Sequence, residues 1–182
     1  MAKKPTRPSA RFTPQLGSRR FTRYRDAFDR AAACTEAGYP LEAIALLDSL
    51  ISDRLASRLG YTSGQLAKER LSCGGLCHEL LRPDVERDPA FREAVTRIKD
   101  WVADRNHAMH ASAKALKSAD GPSFPELLES HGEVAAAGIG LLRAFDELDV
   151  ADRKKHKVGM AATQPHAFHP EKRGGKAPGE TA

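Results

Sequence analysis

Four segments of this chain place apolar side chains three or four residues apart, which is the spacing of one face of an α-helix. Glycine and proline commonly end and begin helices, and they mark the boundaries of these segments at Gly38, Pro40, Gly60, Pro89, Pro122 and Pro125. The stripes are Phe21, Tyr24, Phe28, Ala31 and Thr35; Ile44, Leu47, Ile51, Leu55 and Leu59; Phe91, Val95, Ile98, Val102 and Met109; and Leu127, Val134, Leu141, Phe145 and Leu148. No segment has the alternating pattern that is typical of a strand.

Between the second and third stripes, residues 63–83 contain five leucines and the pair Gly74-Gly75. This segment is typical of one or two short helices. Amphipathic segments with short connections cannot bury their apolar faces alone and must pack against one another. The sequence therefore predicts an all-α fold, an antiparallel bundle of four main helices plus one or two short helices, over residues 21–150.

Charge is distributed unevenly along the chain, whose formal net charge is +5. Residues 1–20 carry six basic side chains and no acidic one, and residues 152–182 carry seven basic and three acidic ones. Both ends are rich in proline and glycine and lack helical periodicity, so residues 1–20 and 151–182 are predicted to be disordered basic tails. Such tails either attract nucleic acid through its phosphates or serve only to keep the protein soluble.

Two classes of protein are excluded by the apolar runs and the cysteine count. The longest uninterrupted run of apolar or glycine residues, 134–142, is far shorter than the roughly 20 residues that a membrane span requires. Three cysteines do not form a disulfide scaffold and suggest reduced thiols. We therefore expect a cytoplasmic protein that does not span a membrane.

The third stripe is interrupted by a charged residue. At about 100° per residue, Arg105 lies within about 20° of Ile98 and therefore inside the apolar stripe. Asn106 and His110 lie one turn apart beside that stripe. The sequence thus predicts a guanidinium, an amide and an imidazole along one edge of the helix. The alternative is an arginine that reaches out to solvent beside a merely exposed histidine.

Asp48 interrupts the second stripe in the same way, one turn from Ile44 and in line with Ile51. A buried charge without a partner costs several kcal/mol. We therefore expect Asp48 to form a salt bridge with Arg105, or each to have another buried polar partner. This pair either orients Arg105 for chemistry or is a structural salt bridge only.

The combination Arg105-Asn106-x-x-x-His110, late in an amphipathic helix of a small helical domain, resembles the R-x4–6-H signature of HEPN domains. The segments Leu50–Leu55 and Gly75–Cys77 are also similar to small HEPN-like proteins of bacterial phage-defence type. The resemblance covers residues 21–150 and leaves both tails outside. Many toxins of this superfamily carry a tyrosine two residues after the histidine, where this chain has Ser112.

The resemblance implies a homodimer in which Arg105 and His110 form a metal-independent endoribonuclease site. Arg105 would hold the scissile phosphate, and Asn106 would orient the phosphate or the histidine. His110 would transfer a proton to or from the ribose 2′-hydroxyl, because imidazole gains and loses protons near neutral pH. Asp48 would support Arg105. The expected role is that of a toxin or phage-defence effector acting on RNA, with an antitoxin or another defence protein as partner.

No cofactor or metal is expected from the sequence. Cys73 and Cys77 would share a helix face, where packing explains them, and no second cysteine pair completes a zinc site. The competing interpretation of the whole chain is a catalytically inert helical module that binds nucleic acid or a protein through its basic tails. A purely structural dimer is a third possibility.

Overall fold

The computed structural model describes residues 14–64, 71–111, 121–156 and 166–173, with side chains from residue 19 onward and excluding that of residue 111. Five α-helices and one short 3-10 turn form these residues, and none of them is in a strand. The elements are α1 (Pro14–Glu36), α2 (Pro40–Ser63), α3 (Cys73–Leu80), α4 (Pro89–Ala111), α5 (Phe124–Lys155) and the 3-10 turn Pro170–Lys172. The predicted all-α bundle of four main helices with a short one is confirmed.

Helix α2 lies at the centre of the bundle and packs against α1, α3 and α5, while α4 packs against α3 and α5. One core cluster joins all five helices, with Phe28, Leu55, Leu76, Ile98 and Phe145 among its buried members. These residues were placed in the bundle by their spacing alone, and burying each such side chain contributes about 1.5–3 kcal/mol.

The boundaries of α2 follow the glycines that adopt a left-handed backbone. Gly38 (φ 78°) is the middle residue of the three-residue turn between α1 and α2, and Gly64 (φ 68°) caps α2. The expected end of the second helix at Gly60 is wrong, because Gly60 is buried within α2 and the helix continues to Ser63. A glycine inside a helix costs about 1 kcal/mol but does not end the helix. The positive φ that ends α2 occurs only four residues later.

The predicted stripe of the fourth helix is shifted from the face that α5 buries. Leu127, Val134, Leu141 and Leu148 are only half-buried. The buried face consists instead of His131, Ala135, Gly138, Leu142, Phe145, Asp146, Asp149 and Arg153. Small and charged residues dominate this face. The spacing of large apolar side chains therefore indicates the neighbouring, half-buried face of α5.

The predicted tail boundaries are also wrong on both sides. Helix α1 begins at Pro14, inside the predicted 1–20 arm, and α5 continues to Lys155, past the predicted boundary at 151. Residues 166–173 are also ordered against the bundle, so the 151–182 prediction of disorder fails there too. The predictions for residues 1–13, 157–165 and 174–182 lie outside the described residues.

Phe168 anchors the segment 166–173, which we call the C-terminal clasp. Its ring is buried against Tyr24 and Phe28 of α1, with ring centroids 5.9 and 5.6 Å away. The Arg143 Nε of α5 donates a hydrogen bond to the Phe168 carbonyl at 3.0 Å. Arg173 of the clasp forms two hydrogen bonds to a carboxylate of α1 at 2.7 and 2.8 Å. The buried Phe168 ring and the hydrogen bonds of these two arginines explain why this short segment packs on the bundle.

A buried arginine of α2 joins this helix to α5 and to the loop before α4. Arg58 Nε donates to Glu86 at 2.6 Å, and Arg58 Nη1 donates to Asp152 of α5 at 2.7 Å. The guanidinium also lies over the Phe91 ring, 3.5 Å from its centroid. One face and the edge of this cation therefore have partners, which offsets the cost of its burial.

One turn earlier, Arg54 makes a second connection from α2 to α5. Its Nη2 donates to Asp149 at 2.5 Å and lies 3.2 Å from Asp146. Asp149 is also within 2.8 Å of Arg153 on its own helix. Four charges thus meet in the buried interface between the two helices.

Gly138 of α5 provides a test of packing against α4. A Cβ built on Gly138 would lie 2.9 Å from the ring of Trp101, whose Nε1 is fixed by a 2.8 Å hydrogen bond to the Val134 carbonyl. We expect Gly138→Ala to lower the free energy of unfolding, since overpacking costs about 1–3 kcal/mol and exceeds the gain in helix propensity. Gly140→Ala meets no described atom within 4 Å and should raise it by about 0.5–1 kcal/mol. Urea denaturation measures both, and a stabilised Gly138→Ala would contradict this packing.

The burial of Asp146 makes the free energy of unfolding depend on pH. Burial raises the pKa of Asp146, and the nearby Arg54 opposes this shift. A carboxyl with a raised folded-state pKa stabilises the fold below its ordinary pKa of about 4 and loses this contribution as the pH rises through the folded pKa. We therefore expect Asp146→Asn to gain stability relative to wild type as the pH rises from about 4 towards neutral.

Urea denaturation at a series of pH values measures this difference. The control is Asp149→Asn, which leaves Arg54 and Arg153 short of a buried partner and should cost about 3–5 kcal/mol at neutral pH. A constant difference between Asp146→Asn and wild type at all pH values would contradict the prediction.

Candidate functional site

Arg105 occupies the buried side of α4, in the part of the helix that packs on α2, α3 and α5. Its helical neighbours Trp101, Val102 and Ala108 are all buried. The side chain of Arg105 is 18% exposed, so the guanidinium is largely withdrawn from water. The predicted position of Arg105 inside the apolar stripe is therefore confirmed.

The guanidinium of Arg105 is held by two side chains. Nη2 donates a hydrogen bond to Asp48 of α2 and forms a salt bridge with it. Nη1 donates to the Asn106 amide oxygen at 2.8 Å. The predicted Asp48–Arg105 salt bridge is thus confirmed, and Asn106 lies in the same hydrogen-bonded group. Asp48 is the more exposed partner, at 31%.

His110 lies in the last turn of α4, one turn after Asn106, and its side chain is exposed. Among the described side chains, no hydrogen bond or ion pair joins His110 to Arg105, Asn106 or Asp48. The structure therefore brings three of the four predicted residues together and places the fourth one turn away at the surface. Residues 112–120, which follow α4, lie outside the described range.

Two further histidines lie near this end of α4, and the sequence analysis gave neither a role. His107 is exposed, one residue beyond Asn106, and His131 of α5 is buried. Burial lowers the pKa of His131, and the charge of His107 lowers it further. The sequence does contain a signal for His107, because His107 and His110 are two histidines within one turn of the same helix.

A thiol also lies beside the salt bridge. Cys73, the first residue of α3, is buried. The neighbouring Cys77 thiol lowers the pKa of Cys73 and burial opposes this shift, while the charges of Asp48 and Arg105 have smaller, opposite effects. The sequence analysis had assigned this cysteine to packing.

Chemically, this arrangement presents a fixed cation and an imidazole at one end of the bundle. A guanidinium with five N–H donors can bind a phosphate while it keeps two protein partners. The described residues include no group of three or more His, Cys, Asp or Glu side chains placed to hold a metal ion. What the described atoms offer is phosphate binding by Arg105 and proton transfer by an exposed histidine.

Comparison with known proteins gives no relative: no family model matches the chain, and no curated protein or solved structure resembles it significantly. The resemblance to HEPN domains therefore depends on the motif residues themselves. None of the described helices has the length and apolar character needed to cross a membrane.

A double-mutant cycle tests the Asp48–Arg105 salt bridge. We expect Asp48→Ala to lower the free energy of unfolding by about 1–3 kcal/mol, because it leaves a largely buried guanidinium without its carboxylate. With Arg105→Met as the second change, the coupling energy should be about 1 kcal/mol or more. Urea denaturation of the four proteins measures it.

The Arg30–Glu42 pair is the matched control, since its N–O distance is 2.8 Å and its side chains are 62% and 49% exposed. Its coupling energy should be clearly smaller than that of the Asp48–Arg105 pair, because water screens an exposed pair. Equal coupling energies for the two pairs would show that Arg105 is not held as described.

Proposed function

We propose that this protein is a metal-independent endoribonuclease of the HEPN type, which cleaves RNA by attack of a ribose 2′-hydroxyl on the adjacent phosphate. The observation that supports this most directly is the Arg105 guanidinium, which Asp48 and Asn106 fix, with the exposed His110 one turn after Asn106. RNA carries its own nucleophile, so the protein has to supply only placement, a cation and a proton carrier.

In this proposal Arg105 binds the scissile phosphate and stabilises the charge that develops on it in the transition state. Asp48 and Asn106 each accept one N–H of the guanidinium. One N–H on each Nη remains for the phosphate. Asp48 acts by orienting Arg105, and His110 transfers the proton of the 2′-hydroxyl or of the leaving oxygen.

The proposal includes a homodimer, because Arg105 and His110 of one chain are not in contact through any described interaction. In a symmetric dimer the two copies of α4 would combine their arginines and histidines in one cleft, as the HEPN resemblance implies. We further propose that the protein acts in the cytoplasm as a toxin or phage-defence effector. An antitoxin or another defence protein would then control it.

An inert helical module that binds nucleic acid or a protein through its basic tails is the second candidate. It is favoured by one observation: Asp48 neutralises Arg105 within the chain, so the arginine is explained without any substrate. The two candidates differ in whether Arg105 and His110 are needed for an activity.

Cleavage of labelled single-stranded and loop RNA by the purified protein, in excess chelator, tests the ribonuclease. We expect His110→Ala to lower the rate by about 10²–10⁴-fold, which is the usual contribution of a general acid–base group. Arg105→Ala should be comparably severe. Arg105→Lys should restore little, because an ammonium cannot make bidentate phosphate contacts. The products should end in a 2′,3′-cyclic phosphate.

His78→Ala is the matched control, since His78 is an exposed histidine on α3, 77% accessible and outside the site. It should cleave like wild type, and both histidine variants should keep their stability within about 0.5 kcal/mol. Equal cleavage by wild type, Arg105→Ala and His110→Ala would mean that the activity comes from elsewhere. Salt-dependent RNA binding by wild type without any cleavage would instead support the binding module.

A further inference from the structure

The C-terminal clasp lies in a groove between α1 and α5, which we call the α1–α5 groove. The floor of the groove is aromatic, since the rings of Tyr24 and Phe28 lie 5.9 and 5.6 Å from the ring of Phe168. On the α5 side, the guanidinium of Arg143 lies 5.3 Å from the centroid of the Phe28 ring. Phe168 is only 1% exposed, so the groove encloses the whole ring.

The rim of this groove is acidic, and the clasp that fills it is basic. Arg173 donates to both carboxylate oxygens of Asp29 on α1, at 2.7 and 2.8 Å. Lys172 Nζ donates to Glu147 on α5 at 2.5 Å. Asp29 and Glu147 are about half exposed, so these charge pairs surround the buried ring at the solvent edge. A buried apolar anchor with a polar rim is the usual composition of a protein–protein interface.

The clasp also holds its own shape through hydrogen bonds within residues 166–173. Three of its backbone N–H groups donate to carbonyls of the clasp itself, at 2.9–3.2 Å. Arg173 donates to two more of them, the carbonyls of His166 at 3.3 Å and Ala167 at 2.5 Å. A segment that forms its own turns loses less conformational entropy when it binds. The clasp therefore has the properties of a short, self-contained peptide ligand.

The contacts of the clasp, rather than its connection to α5, hold it in the groove. Nine residues, 157–165, connect His156 at the end of α5 to the clasp. Nine residues can span about 30 Å, whereas Glu147 lies only about 14 Å back along α5 from His156. The connection is therefore long enough for the clasp to reach a neighbouring molecule as well as its own bundle.

We propose that the α1–α5 groove is a docking site for a second copy of this chain, whose clasp replaces the one attached to the groove. Every copy carries the segment that fits, and exchange forms the same ring contact and the same charge pairs in each direction. The extent of exchange then depends on the protein concentration relative to the effective concentration of the attached clasp, which is of millimolar order. This contact involves neither Arg105 nor His110, so it is independent of the proposed cleavage of RNA.

Charge reversal at the Asp29–Arg173 pair tests the exchange in full-length proteins. Asp29→Arg and Arg173→Glu each place like charges between a chain's own groove and its own clasp. In a mixture of the two variants, both exchanged pairs again have opposite charges. A donor dye at the C-terminal residue of Asp29→Arg and an acceptor dye at position 22 of Arg173→Glu report the contact by energy transfer.

We expect energy transfer in this mixture at protein concentrations at least about tenfold lower than with the same dyes on two wild-type samples, because two repulsive pairs become attractive. The double variant Asp29→Arg/Arg173→Glu restores the attraction within one chain and should show no more transfer than wild type. A homodimer through α4 would contribute equally to all these samples, so only the excess in the mixture counts. No excess in the mixture would overturn the proposal.

Binding of a free peptide of residues 166–173 is the second test, and it requires no contact between two proteins. The labelled peptide is added to wild type and to Phe168→Ala, whose own clasp lacks the ring. We expect Phe168→Ala to bind it at least about tenfold more tightly than wild type, because the attached clasp competes at a high effective concentration. A peptide carrying Phe168→Ala should bind at least about tenfold more weakly, since the ring is the anchor.

Arg173→Glu is the second protein variant, because it weakens the attached clasp and keeps the ring in the fold. It should also bind the free peptide more tightly than wild type, with unchanged helix content by circular dichroism. Equal affinity of wild type and both variants, or no binding to either variant, would overturn the docking site. Tight peptide binding without excess energy transfer would reject the second copy as the partner. Neither experiment contains RNA, so both results stand whether or not the protein cleaves it.

Discussion

Salt bridges between α2 and α5 fix how the long helices of this bundle sit against one another. Arg54 contacts Asp149 and Asp146, and Arg58 contacts Asp152, in a largely buried interface. Arg58 also contacts Glu86, in the loop before α4. Apolar side chains alone tolerate small shifts between packed helices. A shift of one turn here would leave several buried charges without partners, at a cost of about 3–5 kcal/mol for each broken pair. The salt bridges thus select one register.

The candidate site depends on this register. Helix α2 carries Asp48 about 15 Å from Arg58, at 1.5 Å per residue. Helix α5 in turn positions α4, because the Trp101 ring lies against Gly138 and donates a hydrogen bond to the Val134 carbonyl. Asp48 and Arg105 therefore meet as a result of two helix interfaces, α2 with α5 and α4 with α5. A change far from the site, at either interface, would move one partner relative to the other.

Much of this arrangement follows from the sequence. Spacing identified α1, α2 and α4, and two interruptions of apolar stripes correctly predicted the Asp48–Arg105 salt bridge, since a buried charge needs a partner. The face of α5 was missed because glycine, alanine and paired aspartates bury it, and pairing between distant helices leaves no local pattern. The clasp was missed because Phe168 is one apolar residue in a basic, proline-containing segment. Its binding depends on a groove that exists only after α1 and α5 have packed.

The clasp determines where the C-terminal residues leave the bundle. Arg173 is bound to Asp29 in the middle of α1, so the chain beyond it starts beside the same helix that the N-terminal residues enter at Pro14. Fifteen helical residues separate these two points, which is about 22 Å. Of the seven basic residues at positions 152–182, five lie in the last turn of α5 or in the clasp. The folded part of the protein therefore holds most of the charge that the sequence assigns to a C-terminal tail.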